Sequence, residues 1–328
     1  MTKVIGIGSA LVDLLIKLED DQLLNELNLP RGSMTLVDEQ TKELIASKTT
    51  HLENEMVSGG SAANTIHGLA KLGVQTAFLG TVGVDATGDF FCKDLEKSMI
   101  KPLLHRSSTA SGIASTLVSK DGERTFGTYL GASVELSGRQ LKDDDFNEFD
   151  ILHVEGYIVY NHELLETVLR KAKQAGLKIS LDMASYNVVE DNLDFLKKML
   201  EKYVDIIFAN EEESRAFTGE SDPEKALNIL AKDAELTIVK IGQNGSLVKY
   251  SGTIYKIQPV LTEAIDTTGA GDIYASGFLY GFINGMGIMN AGYLGSLMAS
   301  KVIETYGAKI PDPALEFIKQ EIKSMRSV

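Results

Sequence analysis

The sequence predicts an α/β protein with a doubly wound, mostly parallel sheet and a small β-lid. After residue 150, short apolar strands alternate with amphipathic helices, which is typical of a parallel sheet covered on both faces. Before residue 150, two stretches break this alternation with short helices and a hairpin. We therefore predict a core of residues 1–13, 58–104 and 134–328, with lid insertions at residues 14–57 and 105–133.

The first predicted strand, residues 4–8, is a continuous apolar run of the kind found in central parallel strands. Its Gly6-Ile7-Gly8 could open a dinucleotide fingerprint, but the third glycine would fall at Leu11, so an NAD-dependent dehydrogenase is disfavoured. We place Asp13 just past this strand. Because ligands of open α/β sheets bind at the carboxyl ends of strands, we expect Asp13 to accept hydrogen bonds from substrate hydroxyls. A solvated turn aspartate is the alternative.

The two insertions carry elements of their own. In the first we predict a helix at residues 21–27, a strand at 33–37 and a second helix at 41–47. In the second, strands at residues 112–118 and 124–130 flank an Asp-Gly turn, which is a hairpin signal. Together they predict a small sheet over one end of the core.

A paired glycine precedes the next helix, which we predict from Ser61, as its N-cap, to residue 72. Gly59 and Gly60 permit backbone angles closed to other residues and a close approach by a ligand or a hinge. Asn64 lies in the first turn, where its amide can both donate to and accept from a hydroxyl. A helix that is merely capped is the alternative.

Polar residues also follow two later strands. Asn210 and Glu213 come after the predicted strand 206–209 and could hold a hydrated Mg²⁺, which needs few protein ligands. Acidic residues in a first turn also stabilise the helix dipole, which is the alternative explanation. Gly242 and Gly245 form a turn after the strand 236–241, and we expect this loop on the nucleotide side.

The most specific motif is Asp266-Thr267-Thr268-Gly269-Ala270-Gly271-Asp272, which lies between a strand-like run and a helix of small residues. A glycine turn that opens a helix leaves backbone N–H groups unpaired and adds the positive end of the helix dipole. The result is an anion site suited to phosphate. Asp272 stands at its edge, where a carboxylate can take a proton while phosphoryl charge builds on the neighbouring amides.

The composition limits the partners. A formal net charge of −14 argues against a nucleic-acid partner, and it requires any polyphosphate site to have a local source of positive potential. The single cysteine, Cys92, excludes an internal disulfide and suits a reducing, cytoplasmic compartment. The apolar stretches at residues 4–16 and 273–303 are interrupted by polar residues and glycines, so we expect neither a signal peptide nor a membrane span.

In chain order, Asp13, Gly59-Gly60 with Asn64, Asn210-x-x-Glu213 and the 266–272 motif resemble the ribokinase-like (PfkB) family of carbohydrate and nucleoside kinases over nearly the whole chain. The resemblance implies transfer of phosphate from ATP, with Mg²⁺, to a primary hydroxyl. It implies that Asp272 is the base and that the Gly269, Ala270 and Gly271 amides form the anion hole. The other implied contacts are Asp13, Gly59, Gly60, Ser61 and Asn64 to the substrate, Asn210, Gly242, Gly245 and Thr268 to the nucleotide, and Asn210 and Glu213 to the metal through water.

Within that family the chain looks most like adenosine kinases, through the helical insertion before Gly59 and the Asp121-Gly122-Glu123-Arg124 turn. Arg124 would then reach the phosphates when the lid closes, and Tyr157 would face the base, with core packing as its alternative. Ser9 departs from the pattern, because adenosine kinases tend to carry Asn four residues before the substrate aspartate.

The implied function is phosphorylation of the 5′-hydroxyl of adenosine or a related nucleoside, in purine salvage. The alternatives are a kinase for ribose, fructose or a ketogluconate and, from another class, a non-catalytic nucleoside- or sugar-binding module. Some relatives carry a monovalent cation, K⁺, behind the 266–272 loop, and we consider one here. The expected partners are the small-molecule substrate and ATP, and the expected assembly is a monomer or a homodimer.

Overall fold

The computed structural model describes residues 2–326 of the 328-residue chain. The strands are Lys3–Ile7 (β1), Leu11–Lys17 (β2), Met34–Leu36 (β3), Asn54–Gly59 (β4), Gln75–Gly83 (β5), Ile100–Ser107 (β6), Gly112–Val118 (β7), Arg124–Tyr129 (β8), Ile151–Glu155 (β9), Lys178–Asp182 (β10), Ile206–Asn210 (β11), Leu236–Lys240 (β12), Ser246–Tyr250 (β13) and Thr253–Ile257 (β14). The helices are Gln22–Glu26 (α1), Glu39–Thr49 (α2), Ser61–Lys71 (α3), Ala86–Lys97 (α4), His162–Gln174 (α5), Tyr186–Asp191 (α6), Leu193–Tyr203 (α7), Glu211–Thr218 (α8), Pro223–Leu230 (α9), Ala270–Ile283 (α10), Ile288–Val302 (α11) and Asp312–Arg326 (α12).

The core is a nine-stranded sheet in the order β14-β13-β12-β11-β10-β9-β1-β5-β6. The strands from β12 to β6 run parallel, and β13 and β14 complete the sheet as an antiparallel hairpin. Two buried apolar clusters cover its opposite faces, one built around Phe78, Phe208 and Phe278 and the other around Leu152 and Leu181. The predicted α/β, doubly wound, mostly parallel sheet is therefore confirmed.

The second sheet has five strands in the order β3-β8-β7-β2-β4. Ile16, Leu24, Ile45 and Leu117 form a separate apolar cluster between this sheet and the short helices α1 and α2. We call the five strands with α1 and α2 the lid. The predicted hairpin and the predicted elements of the first insertion all lie in it.

One expectation about this region is wrong. Asp13 does not lie in a loop after β1 but inside β2, an internal strand of the lid sheet, where its backbone is paired between Val57 and Ala114. The residues between β1 and β2 turn the chain directly from the core sheet into the lid sheet. The predicted strand ended at residue 8, and the sequence pattern did not show that a second strand begins at Leu11 in a different sheet. The first of the two chain segments that form the lid sheet consequently runs from Leu11 to Gly59, beyond the predicted limits of 14 and 57.

Helix α10 is held tightly against α11. A Cβ atom built on Gly277 would lie 2.6 Å from the Leu294 carbonyl oxygen, and one on Gly281 would lie 2.6 Å from Ala291 Cα. These glycines let the two helices approach at backbone distance, which fixes the position of the α10 N-terminus. Within residues 2–326 we find no helix with the length and apolar character that crossing a bilayer requires.

Candidate active site

The 266–272 motif forms a turn that opens α10. Gly269 is the N-cap residue, with a left-handed φ of 73°, and a Cβ built there would lie 2.3 Å from the Cβ of Ala308. The Ala270 N–H donates back to the Thr267 carbonyl at 3.2 Å. Among the described residues, no acceptor lies at hydrogen-bond distance from the N–H groups of Gly271 and Asp272. The expected anion-hole amide of Ala270 is therefore engaged within the turn, and the free N–H groups at the positive end of the helix are those of Gly271 and Asp272.

The Asp272 carboxylate is held by two side chains of α3. Ser61 Oγ donates to Oδ1 at 2.7 Å, and Asn64 Nδ2 donates to Oδ2 at 3.0 Å. Burial raises the pKa of Asp272 to about 7, and the charge of Asp182 adds to the rise, while the two hydrogen bonds and Lys240 oppose it. A carboxylate with a pKa near neutrality can both take and release a proton, which suits a general base.

The expected role of Ser61 as the N-cap of its helix is wrong. Gly60 occupies the N-cap position with a φ of 95°, and Ser61 is the first helical residue. A Cβ on Gly60 would lie 2.2 Å from the Ser9 carbonyl oxygen, so this close approach requires glycine. The Ser61 hydroxyl is thereby free to reach Asp272 instead of its own helix.

Sequence reasoning missed a buried lysine beside the turn. Lys240, the last residue of β12, donates to Asp182 Oδ2 at 3.0 Å, and its Nζ lies 3.1 Å from a Cβ built on Gly271. Burial favours the neutral amine, but Asp182 and Glu213 outweigh it and raise the pKa of Lys240 above its usual value. A fixed positive charge thus lies at the anion turn. The available signal was a lysine that ends an otherwise apolar strand.

A cavity of about 480 Å³ adjoins the turn. Its lining includes Ala270, Gly271, Lys240 and the loop with Gly242 and Gly245, together with small residues of α11 and the mostly apolar segment before the turn. The cavity has the size of a small-molecule site. The amides and Lys240 at one end suit a polyphosphate, so the residues present fit a nucleotide. The predicted glycine loop is at this cavity.

Arg124 of β8 reaches the base of the same turn. Its Nη1 lies 2.5 Å from Asp266 Oδ2, in an ion pair whose side chains are 9% and 5% exposed, and 3.3 Å from Thr268 Oγ1. Asp266 also accepts from the Thr268 N–H at 3.0 Å and the Gly307 N–H at 2.7 Å. The Arg124 Nε and Nη2 atoms are buried, with no hydrogen-bond partner in the part of the chain described. These two nitrogens remain available to donate hydrogen bonds to a ligand. The Thr268 hydroxyl is in contact with Arg124.

Asp13 in the lid and Asn64 in α3 have side-chain oxygens that accept no hydrogen bond from the described residues. Within residues 2–326 no hydrogen-bond donor reaches the Asp13 carboxylate, whose pKa burial raises to about 6 against the opposing charges of Lys309 and Arg124. A Cβ on Gly59 would lie 2.2 Å from Asp13 Oδ2, so glycine is needed for this packing. The buried Asn64 Oδ1 likewise has no partner among the described residues. These oxygens can accept hydrogen bonds from substrate hydroxyls.

A second cavity, of about 580 Å³, opens at the carboxyl ends of β1 and β9. Tyr157 and Tyr160 line it together with Ser9. The buried Glu155, which sequence reasoning also missed, accepts from the Ser9 N–H at 2.8 Å and from the Ala62 N–H at 3.1 Å. Glu155 therefore ties the cavity rim to the helix turn that holds Asp272.

Asn210 and Glu213 form a capping box at the start of α8. The Asn210 N–H and Nδ2 each donate to Glu213 at 2.7 Å, and the Glu213 N–H donates to Asn210 Oδ1 at 2.9 Å. Glu213 is 2% exposed, and burial raises its pKa to about 7. Residues 2–326 contain no cluster of three or more His, Cys, Asp or Glu that could hold a metal ion. The two side chains are thus engaged with each other, as the helix-start alternative expects, and a Mg²⁺ ion here would have to be carried mainly by substrate phosphates and waters.

Comparison with known proteins gives a consistent result. The pfkB family carbohydrate kinase profile matches residues 32–315. The structure is similar to a probable sugar kinase from Rhizobium etli CFN 42 (TM-score 0.86, 32% identity) and to the adenosine kinase from Sinorhizobium meliloti (TM-score 0.85, 30% identity), with 98% of this chain and 99% of the other covered in each case. The 5-dehydro-2-deoxygluconokinase of Clostridium perfringens is 27% identical over 285 residues, 81% of this chain and 83% of that protein.

Proposed function

The chain belongs to the pfkB family of carbohydrate kinases and is a sugar or nucleoside phosphotransferase with an alcohol group as acceptor; on this premise we propose that it phosphorylates the 5′-hydroxyl of adenosine or a related nucleoside with ATP. The observation that carries the choice of acceptor is the 580 Å³ cavity with Tyr157 and Tyr160 in its lining. Flat, half-exposed aromatic rings offer a stacking surface for a purine, whereas a lone monosaccharide offers little to stack.

In the proposed reaction Asp272 accepts the proton of the acceptor hydroxyl, and that oxygen attacks the γ-phosphorus of ATP. The bond from the γ-phosphorus to the leaving ADP oxygen breaks as the new ester bond forms. The Gly271 and Asp272 amides and Lys240 supply positive charge where negative charge spreads in the transition state. Family kinases use Mg²⁺ with ATP, and the ion would neutralise phosphate charge, held here through water by Asn210 and Glu213.

The acceptor would be positioned by groups of the lid and of α3. The free oxygens of Asp13 and Asn64 suit two hydroxyls of a ribose ring, and Gly59 and Gly60 allow the backbone to approach it. Arg124, already at the turn, offers its two unpartnered nitrogens to a phosphate. Closure of the lid over the ligand would exclude water and limit ATP hydrolysis.

A sugar kinase is the second candidate. Ser9 stands where adenosine kinases tend to carry Asn, and the R. etli and C. perfringens relatives are named for sugar or ketogluconate phosphorylation. Such an enzyme would use the same catalytic base, Asp272, and the same anion turn. It would differ only in lacking contacts to a nucleobase. The non-catalytic alternative finds no support, because the family is one of kinases and this chain has both the anion turn and Asp272.

A panel of acceptors separates the two candidates. ADP formation would be measured with ATP, Mg²⁺ and, in turn, adenosine, inosine, ribose, fructose and 5-dehydro-2-deoxygluconate. We expect kcat/KM for adenosine to exceed that of any sugar by about 10²-fold or more, because base contacts are lost with a sugar. A sugar or keto acid that outperforms both nucleosides would assign the chain to the sugar kinases.

A further inference from the structure

A third cavity, polar and of about 200 Å³, lies between α3, α4 and the segment that precedes α12. Four basic residues contribute to its lining: His67, Lys71, Lys97 and Lys309. Ala308, also in the lining, is the residue against which Gly269 of the anion turn packs. The pocket therefore backs directly onto the candidate active site.

Asp94, a carboxylate in the lining, keeps its negative charge but is already hydrogen-bonded within the protein. Ser58 Oγ donates to Asp94 Oδ2, and His67 Nε2 lies 2.9 Å from the same hydroxyl and 3.5 Å from Asp94. Burial lowers the pKa of His67 to about 4, so the imidazole is neutral near pH 7. Asp94 Oδ2 is thus engaged by Ser58 and His67, and the neutral His67 adds no positive charge to the pocket.

The lysines of this pocket use few of their hydrogen-bond donors within the described residues. Lys309 Nζ donates to Ser58 Oγ at 3.2 Å, which is its one hydrogen bond within residues 2–326, although an ammonium has three donors. Lys97 forms no ion pair in the described part of the chain, and Lys71 pairs at 3.4 Å with an Asp312 side chain that is 87% exposed. Although the protein has a net charge of −14, the three lysine ammonium groups give this pocket a local positive potential, which favours a bound anion.

We propose that this pocket binds a small oxyanion, such as sulfate, phosphate or a phosphate group of a metabolite, as a site separate from the nucleotide cavity. An acceptor-only anion satisfies the free ammonium donors of Lys309, Lys71 and Lys97 together. The site communicates with the reaction centre through Lys309, whose charge acts on Asp13 and Asp272.

The groups that face Lys309 predict how binding depends on pH. Burial lowers its pKa to about 8, the charges of Asp94, Asp13 and Asp272 oppose the fall, and Lys71 adds to it; Ser58 and His67 are the uncharged neighbours. Raising the pH through 8 removes the Lys309 charge. A bound oxyanion favours the protonated amine, so affinity falls as the pH rises.

Sulfate is the probe, because it stays a dianion over this pH range. Binding would be measured by calorimetry on the full chain at constant ionic strength, with a non-hydrolysable ATP analogue and Mg²⁺ filling the nucleotide cavity. We expect one sulfate to bind at pH 7 and its affinity to fall several-fold by pH 9.5. Lys97→Glu, at the exposed end of α4, should weaken binding about tenfold or more by charge reversal. Lys93→Glu, one turn earlier and outside the pocket lining, should change it less than about twofold.

Three results would overturn the proposal: no sulfate binding once the nucleotide cavity is filled, equal weakening by both variants, or affinity that does not change with pH. Sulfate that binds only while the nucleotide cavity is empty would place the anion at the turn of α10 instead. Because none of these measurements needs an acceptor, they stand whether or not the chain phosphorylates a nucleoside.

Discussion

Asn64 and Asp272 are joined by a 3.0 Å hydrogen bond from the side-chain amide of α3 to the carboxylate of α10. The bond ties the first turn of the helix that follows the paired glycines to the first turn of the helix that follows the anion turn. The Asn64 side-chain oxygen, Oδ1, has no partner in the described chain and remains available to a ligand. Asn64, which is proposed to bind the acceptor molecule, therefore also orients the Asp272 carboxylate, which is proposed to take the proton.

The pH dependence of kcat/KM should show this arrangement. The base works only as a carboxylate, so activity is lost as the pH falls through the Asp272 pKa of about 7. Ser61→Ala removes a hydrogen bond that favours the charged form and should move the acid limb up by about half a pH unit. Ser276→Ala is the control, because Ser276 Oγ donates to the Asp272 backbone carbonyl rather than to its carboxylate. An acid limb that Ser61→Ala leaves in place would assign the titration to another group.

Lys240→Gln should impair both catalysis and stability. Loss of a charge aimed at the anion turn should lower kcat/KM for ATP by about 10²-fold. The change also leaves Asp182, 5% exposed, without its partner, which should cost roughly 3–5 kcal/mol in the free energy of unfolding. Steady-state kinetics and urea titration measure the two effects. Lys256→Gln, at an ion pair with a 68% exposed lysine, should leave both nearly unchanged. Equal effects from both variants would refute the role of Lys240.

Potassium should have little effect on activity. A monovalent cation behind the 266–272 loop would need the Asp266 carboxylate, which is already engaged by Arg124 and by the Thr268 and Gly307 N–H groups. We expect less than about a twofold change in kcat when K⁺ replaces a bulky organic cation at constant ionic strength. Several-fold activation by K⁺ would show that the ion pair opens and that a cation takes its place.

Tyr157→Ala should raise the KM for adenosine about tenfold through loss of a stacking surface worth roughly 1–2 kcal/mol. Its effect on the weak activity with ribose should be small, since ribose has no base to stack. Tyr186→Ala is a matched control, because Tyr186 is also 41% exposed but does not line the cavity. A Tyr157 variant that binds adenosine normally would count against the nucleoside assignment.

The fold was largely predictable because apolar periodicity reports which faces are buried. The strands predicted at residues 112–118, 124–130, 206–209 and 236–241 are β7, β8, β11 and β12, each within one residue of its predicted bounds. The pattern failed where a chain turn separates two apolar strands, as between β1 and β2, since periodicity carries no information about which sheet a strand joins.

The site was predictable only where it lies on local motifs. The anion turn with Asp272 is one contiguous motif and the paired glycines with Ser61 and Asn64 are another, and the structure brings the two motifs together. Lys240 and Glu155 were missed because each looks like an ordinary end of a buried strand. Their importance comes from partners 58 residues away, in the Lys240–Asp182 bond, and 146 residues away, in the Ser9–Glu155 bond. Such partners become visible only in the folded chain.

The most direct test of the account is transfer of labelled γ-phosphate from ATP to the acceptor by the Asp272→Asn variant. Asp89→Asn is the control, since Asp89 lies in the first turn of α4, away from the anion turn. We predict that Asp272→Asn lowers turnover by roughly 10²–10⁴-fold while ATP affinity changes little, and that Asp89→Asn matches the wild type. Transfer by Asp272→Asn within a few-fold of wild type would contradict the claim that this carboxylate takes the proton.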